Sequence, residues 1–448
     1  MKKTLFAAVM GALTAIAIAG LTFAQTYPPN IPVVSGPASI SPNDLFQDVV
    51  NGYPSAQSQY VNALLLGNYG ATLVGNNPEN ALIGGDFTTN LFQRSTSTGS
   101  ITTSQTYVAD RWSSWSGAST TLTVSKQTGA SDIPPGANAS LRVNKASGAG
   151  VVQACTMQVI ESSNAVRFQG QTAEFTFDAK AGSGFSAASS NLAVYVLTGT
   201  VADEGSASAG YSINAGIGSS GWTGANLIGG TTGFLIPIST GWARYGVAVP
   251  IPSGALEIAV AVCYTPVGTG TSSDWFEFGK AQFVTNSSLT SFAGSAGAAL
   301  STNDSRMKSF ARRYAPLEAL LQYRYYYLIN EFDTAGVVQS PAGYYVDTTH
   351  CQIAFPLPAP MLKAPTIVNS AITNATFTVA QVGGTPAAGA ALAGSGNSGL
   401  ILAVGSTPAA PFTVGVASFI TAAKTQYAGC ALLSTAAGAG SFGFNAEL

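Results

Sequence analysis

Six short runs constrain the fold of this chain more than any other feature: SLRVNKA, AEFTFDAKA, LAVYVLTG, ARYGVAVPIP, LEIAVAVCY and WFEFGKAQFV. Each alternates apolar and polar residues or is rich in β-branched side chains, the pattern of short strands in a packed sheet. Gly, Ser and Thr fill the stretches between them, and 50 glycines make long helices unfavourable. In TGWARYGVAVPIPSGALEIAVAV two such runs meet at a PSG turn, a hairpin-like signal. Repetition of this kind from about residue 80 to 285 predicts an antiparallel jelly-roll β-sandwich.

The chain is 448 residues long, more than one small core accommodates, and 46% hydrophobic residues suffice for several cores. Lys2 and Lys3 precede an uncharged run from Thr4 to Ala24 that ends in small residues. That is the form of a secretory signal peptide cleaved near Ala24, with an uncleaved membrane anchor as the alternative. The expected organisation is therefore 1–24 signal or anchor and 25–79 a Pro-rich extended arm followed by short helices. Residues 80–299 form the jelly roll, 300–332 a helical connector, and 333–448 a second β-rich domain. The connector contains PLEALLQYRYYYL, where proline opens a good helix former. The fold class is mainly β, with a short helical amino-terminal region. Charged residues are 8% of the chain, the net charge is -2, and after Lys363 only Lys424 and Glu447 are charged. No basic stripe exists for nucleic acid. A surface so poor in charge suits packing in a homo-oligomer, for example a trimer.

The single histidine, His350, leaves no room for a His-based triad or a multi-His metal site. Paired carboxylates are the one enzymatic option, with Asp86, Asp110, Asp274 and Glu277 as candidates. Asp110 adjoins Arg111, however, and Asp86 is near Arg94 in sequence, so ion pairing accounts for them more simply and no catalytic residue is expected. Asp86, Arg94, Asp110 and Arg111 are read as a structural clasp over Phe87 and Trp112. A calcium ion held by Asp86 and backbone carbonyls is an open alternative; no other cofactor is indicated. Of the five tryptophans, Trp112, Trp115 and Trp222 are the candidates for stacking on sugars. Trp222, in GSSGWTGANLIGG, is expected to be exposed, and Trp242, at the head of a strand, to pack inside. Cys155, Cys263, Cys351 and Cys430 are disulfide candidates, naturally paired as Cys155–Cys263 and Cys351–Cys430; four buried free thiols are the alternative.

LIGGDFTTNLFQRSTS followed by TYVADRW resembles the opening of a module frequent in bacteriophage tail-fibre and other virion proteins. TGWARYGVAVPIPSG and WFEFGKAQF resemble its closing strands, FARRYAPLEALLQYRYYYL its exit segment, and FPLPAPMLKAPTIV the start of the domain that follows. The resemblance spans roughly residues 80–370. It implies a carbohydrate-binding-module-like jelly roll in a structural appendage that reaches host-surface glycans, beside other virion or fibre components. Phe92 stands where the family carries tryptophan. A secreted bacterial adhesin or filament subunit derived from the same module is the alternative, and a secreted glycan-acting enzyme a more distant one.

Overall fold

The structure, a computed structural model, describes residues 80–329 except 118–120, 148–149, 215–219 and 269–270. Past 342 it describes 343–345, 350–363, 365–369, 377–381, 390–391, 412–420, 429–434 and 442–447. The signal-like segment and the arm with its helices fall outside the described residues. Among those described, no helix is long and apolar enough to cross a membrane.

Thirteen strands build the sandwich: β1 (Thr106–Tyr107), β2 (Ser113–Ser116), β3 (Thr121–Gln127), β4 (Ser140–Ser147), β5 (Ala154–Ile160), β6 (Thr172–Ala181) and β7 (Asn191–Gly199), then β8 (Asn226–Ile228), β9 (Phe234–Pro237), β10 (Ala243–Pro250), β11 (Glu257–Tyr264), β12 (Trp275–Thr285) and β13 (Ala298–Ala299). One sheet runs β1-β2-β5-β11-β7-β8, with β9 also on β7; the other runs β13-β10-β6-β12-β4-β3. All of these pairings are antiparallel. Alternation decides the core. In β6, Ala173, Phe175, Phe177, Ala179 and Ala181 point between the sheets, as do Ile258, Val260, Val262 and Tyr264 of β11. Strand β12 keeps this phase only because a bulge lies between Gly279 and Gln282, with Lys280 at φ 48°. The extra residue turns Lys280 outward and returns Ala281 and Phe283 to the core.

The outer faces of the two sheets differ. Ala259, Ala261 and Cys263 on the back of β11 join a second apolar cluster with Trp115, Met157, Leu197 and Trp222. Helix α1 (Ser206–Ile213) lies across β5 and β7 and adds Ala209 and Ile213 to this cluster, roofing that face. Cys155 and Cys263 are opposite residues of β5 and β11, with Cα atoms 4.1 Å apart, and form a disulfide inside the cluster. Cys351 is disulfide-bonded as well. A Cys155→Ala/Cys263→Ala variant is expected to lose about 2–4 kcal/mol of stability. Urea unfolding of the full chain tests this; an unchanged midpoint and slope would mean that the cross-link contributes nothing.

Beyond the sandwich, helix α2 (Ala315–Tyr323) leads into β14 (Tyr326–Ile329). It starts with Pro316 in its first turn and carries Glu318 near its amino end, both favourable there. Then follow β15 (Gly343–Tyr345), β16 (His350–Met361), β17 (Thr366–Asn369), β18 (Phe377–Gln381), β19 (Ala390–Ala391), β20 (Phe412–Ile420), β21 (Gly429–Ser434) and β22 (Phe442–Asn445). They form a sheet of order β14-β22-β17 and another of order β19-β18-β21-β15-β16-β20. Most side chains of this last region lie outside the described residues.

Candidate functional site

Asp86, Arg94, Asp110 and Arg111 are all ion-paired, with partners other than those adjacent in sequence. Asp86 pairs with Arg312 and accepts from the Thr88 amide at 3.3 Å, not with Arg94. Asp110 pairs with Arg94 at 3.7 Å and not with the adjacent Arg111. Neighbouring residues cannot turn their side chains to one another easily, and Arg111 sits at φ 70°, which aims it away. Its guanidinium meets Glu447, donates to the Val159 carbonyl at 2.7 Å and lies 3.5 Å from the Tyr325 ring centroid. Arg94 reaches the same Glu447 at 3.3 Å, between the rings of Tyr107 and Tyr326. Burial pushes Asp110 up to about 6 against the pull of Arg94. Beneath lie Phe87 and Trp112, both edge-on to Phe278, at 5.1 and 5.3 Å. Gln322 of α2 ties the same loop down, accepting from the Leu91 amide at 2.7 Å and donating to the Thr89 carbonyl at 3.1 Å. Three carboxylates, Asp86, Asp110 and Glu447, here answer the guanidinium groups of Arg94, Arg111 and Arg312.

The tryptophans chosen from the sequence are not on the surface. Trp112 and Trp115 are 1% and 0% exposed, in the central and outer clusters respectively. Trp222 is 4% exposed: its indole donates to the Gly205 carbonyl, and its amide to Ser212 of α1. Glycines around an indole let the backbone close over it, so a Gly-rich loop does not by itself expose its aromatic residue. Trp242 and Trp275 are the half-buried ones, both on the outer face of the β6–β12–β4 sheet. Trp242 is therefore not a core residue, contrary to its position at the head of a strand. Trp275 was legible as a strand residue, but its outward phase follows from Phe276 and Phe278 pointing in.

That outer face is divided. Residues 303–313 run across its lower half: Asn303 N donates to Arg244 O, Lys308 N to Glu174 at 2.9 Å, and Ala311 N to Gln282 at 3.3 Å. The 131–136 loop lies on the upper half: Trp242 Nε1 donates to the Ser131 carbonyl at 3.3 Å, and Lys280 Nζ donates to the Pro135 carbonyl. Cross-strand registry there places Lys180 beside Glu277 and Glu277 beside Arg142. Arg142 Nε donates to Glu277 Oε1 at 2.7 Å, and its Nη2 is 3.2 Å from Asp132. Lys180 Nζ donates to the Ser131 carbonyl at 2.6 Å and lies 3.3 Å from Glu277 Oε2 and 3.4 Å from Asp132. The same ammonium is 5.6 Å from the centroid of Trp242 and 5.2 Å from that of Trp275, while the Arg142 guanidinium stands 4.2 Å over Trp275. Burial raises the Glu277 carboxyl, and Arg142 and Lys180 work against it. A side chain on Gly182 would strike the Ser273 carbonyl and the Trp275 ring, so only glycine lets the indole lie where it does.

Asp274, the remaining carboxylate candidate, accepts from the Ser186 amide at 3.0 Å and from its hydroxyl at 2.7 Å. Among the described residues no group of three His, Cys, Asp or Glu is placed to hold a metal ion.

The geometry defines a class: a two-sheet antiparallel sandwich with one outer face roofed by helix α1 and the other carrying two half-buried tryptophans beside the 131–136 loop. No family model matches the chain, and no curated protein matches it. Among solved structures it is similar to the enzymatically active domain of tailspike protein 4 of bacteriophage CBA120, at 11% identity over 46% of this chain and TM-score 0.28. It is also similar to a CBM4 structure (12% identity, 33% of this chain and 70% of the other, TM-score 0.19) and to a xylan-binding CBM22 domain (14%, 39% and 86%, TM-score 0.22). The match spans 21% of the tailspike chain's length.

Proposed function

We propose that the chain is a non-enzymatic structural protein of an extracellular appendage or virion, and that its sandwich binds glycans at Trp242 and Trp275 on the upper half of the β6–β12–β4 face. The observation that carries this reading is the pair of half-buried tryptophans, Trp242 and Trp275, flanking hydrogen-bonding groups on ordered strands. Large aromatic faces beside a few fixed polar groups are the ordinary make-up of a sugar site. The sequence resemblance to tail-fibre modules points the same way. The charge-poor stretch after Lys363 supports packing in a homo-oligomer, which native mass measurement tests.

Trp242→Ala and Trp275→Ala are each expected to weaken glycan binding about tenfold or more, the usual size for removing a contacting aromatic. Titration calorimetry against an oligosaccharide panel reads this out. Binding that survives both substitutions unchanged would put the site elsewhere.

A second reading, an exported bacterial adhesin or filament subunit, is favoured by the Cys155–Cys263 disulfide together with the signal-like start. Such bonds persist in oxidising compartments, whereas virions assemble in a reducing cytoplasm. Thiol alkylation of protein taken directly from its source separates the two: blocked cysteines support export, and free ones support cytoplasmic assembly.

A further inference from the structure

We infer that the side chains of Lys180 and Asp132 join in an amide cross-link, made by the chain on itself with Glu277 carrying the proton. Such a bond lies beside Trp242 and Trp275 and does not depend on glycan binding.

Lys180 on β6, Glu277 on β12 and Arg142 on β4 stand side by side in the sheet, and Asp132 meets them from the loop before β4. Lys180 Nζ lies 3.4 Å from Asp132 Oδ1, on the carboxyl whose carbon is the electrophile. The ammonium is held there: it donates to the Ser131 carbonyl at 2.6 Å, and its side chain is 10% exposed. Glu277, 0% exposed, gives Oε1 to Arg142 Nε at 2.7 Å. Its Oε2 is 3.3 Å from the lysine nitrogen and has no well-formed hydrogen bond among the described residues, so it can take up a proton. Burial raises the Glu277 carboxyl, which suits it to hold that proton in transit. Arg142 Nη2 is 3.2 Å from Asp132 Oδ1, where negative charge gathers as nitrogen bonds to carbon. Trp242 and Trp275, with ring centroids 5.6 and 5.2 Å from Nζ, shield the group from the water that reverses the reaction.

The N–C bond forms at Asp132 Cγ, and the C–Oδ2 bond breaks with its electron pair. Two of the three ammonium protons pass to Oδ2 through Glu277, which ends as it began. One water leaves, the amide keeps the third proton, and no oxidant or second reactant is needed. Two cations and two carboxylates thereby become one ion pair, Arg142 with Glu277. Charges kept from water carry a desolvation cost, and condensation removes one of each sign. The bond closes 48 residues of chain and fixes the 131–136 loop on the sheet.

The test is a tryptic peptide map of the full chain by mass spectrometry. The peptides carrying Asp132 and Lys180 are expected joined and lighter by one water, with no cut after Lys180. Lys180→Arg keeps the charge but cannot condense, so it should give the two peptides separately. Glu277→Gln should do the same, because no carboxyl remains to carry the proton; joined peptides in that variant overturn the role of Glu277. Asp132→Asn reads the chemistry itself: its peptides should join with loss of ammonia in place of water. If Glu277→Gln fails to fold, Lys180→Arg and Asp132→Asn carry the decision. Separate peptides from the unsubstituted chain, cut after Lys180 and with no mass lost, overturn the cross-link and leave an ordinary ion-pair network.

Discussion

Glu447→Gln is expected to lower the unfolding free energy by about 3–5 kcal/mol, the cost of stranding a buried charge. Glu447 answers Arg111, whose side chain is 2% exposed, and it also reaches Arg94. Removing its charge leaves two guanidinium groups under the tyrosines Tyr107, Tyr325 and Tyr326 with Asp110 as their one remaining carboxylate among the described residues. Ala446, beside it, donates to the Tyr325 carbonyl at 2.7 Å, so the backbone that brings Glu447 there is itself fastened. Chemical unfolding measures the loss. A double-mutant cycle with Arg111→Gln should give a combined loss well below the sum, because the second change removes the charge that the first stranded. A loss under about 1 kcal/mol for Glu447→Gln would show that the clasp is a solvated pair of little worth.

The second large effect is expected at Glu257. This residue opens β11, is 0% exposed, and has both carboxylate oxygens without a well-formed hydrogen bond among the described residues. Burial pushes its pKa up to about 8; Asp203 and Glu204 add to the rise, and the Glu204 amide offsets it in part. Below the ordinary carboxylate range both folded and unfolded chains hold the proton and nothing is lost. As pH climbs from there to about 8 the unfolded chain has released it while the folded chain must keep it, so stability falls through that window. Asp110, lifted to about 6 mainly by burial, acts with the same sign over a narrower range. Glu257→Gln should therefore flatten the decline, making the variant more stable than the native chain by about 2–3 kcal/mol at pH 8 and nearly equal to it at pH 5. Urea unfolding at the two pH values decides it, and parallel curves would mean that Glu257 ionises freely in the folded protein.

The strands were legible because their cause is local. AEFTFDAKA and LEIAVAVCY alternate with period two, and those alternations are the ones that pack Phe175 and Phe177 against Val260 and Val262. The helix opened by Pro316 was legible for the same reason. The clasp was legible as a gathering of charges but not as a set of pairs. Adjacency in sequence suggested Asp110 with Arg111, while the carboxylate that Arg111 uses lies 336 residues further along the chain. The tryptophans were misjudged most. Loop composition said that Trp222 would be exposed and strand position said that Trp242 would be buried; helix α1 encloses the first, and the second lies on the outer face of the other sheet beside Lys180.

By itself, then, the sequence determined that this chain forms short antiparallel strands with one face apolar, because side-chain alternation and turn chemistry act over a few residues. How each outer face is covered was decided only by tertiary structure. Helix α1 and Trp222 cover one sheet and residues 303–313 half of the other, and such coverage depends on contacts between distant segments that no local pattern encodes.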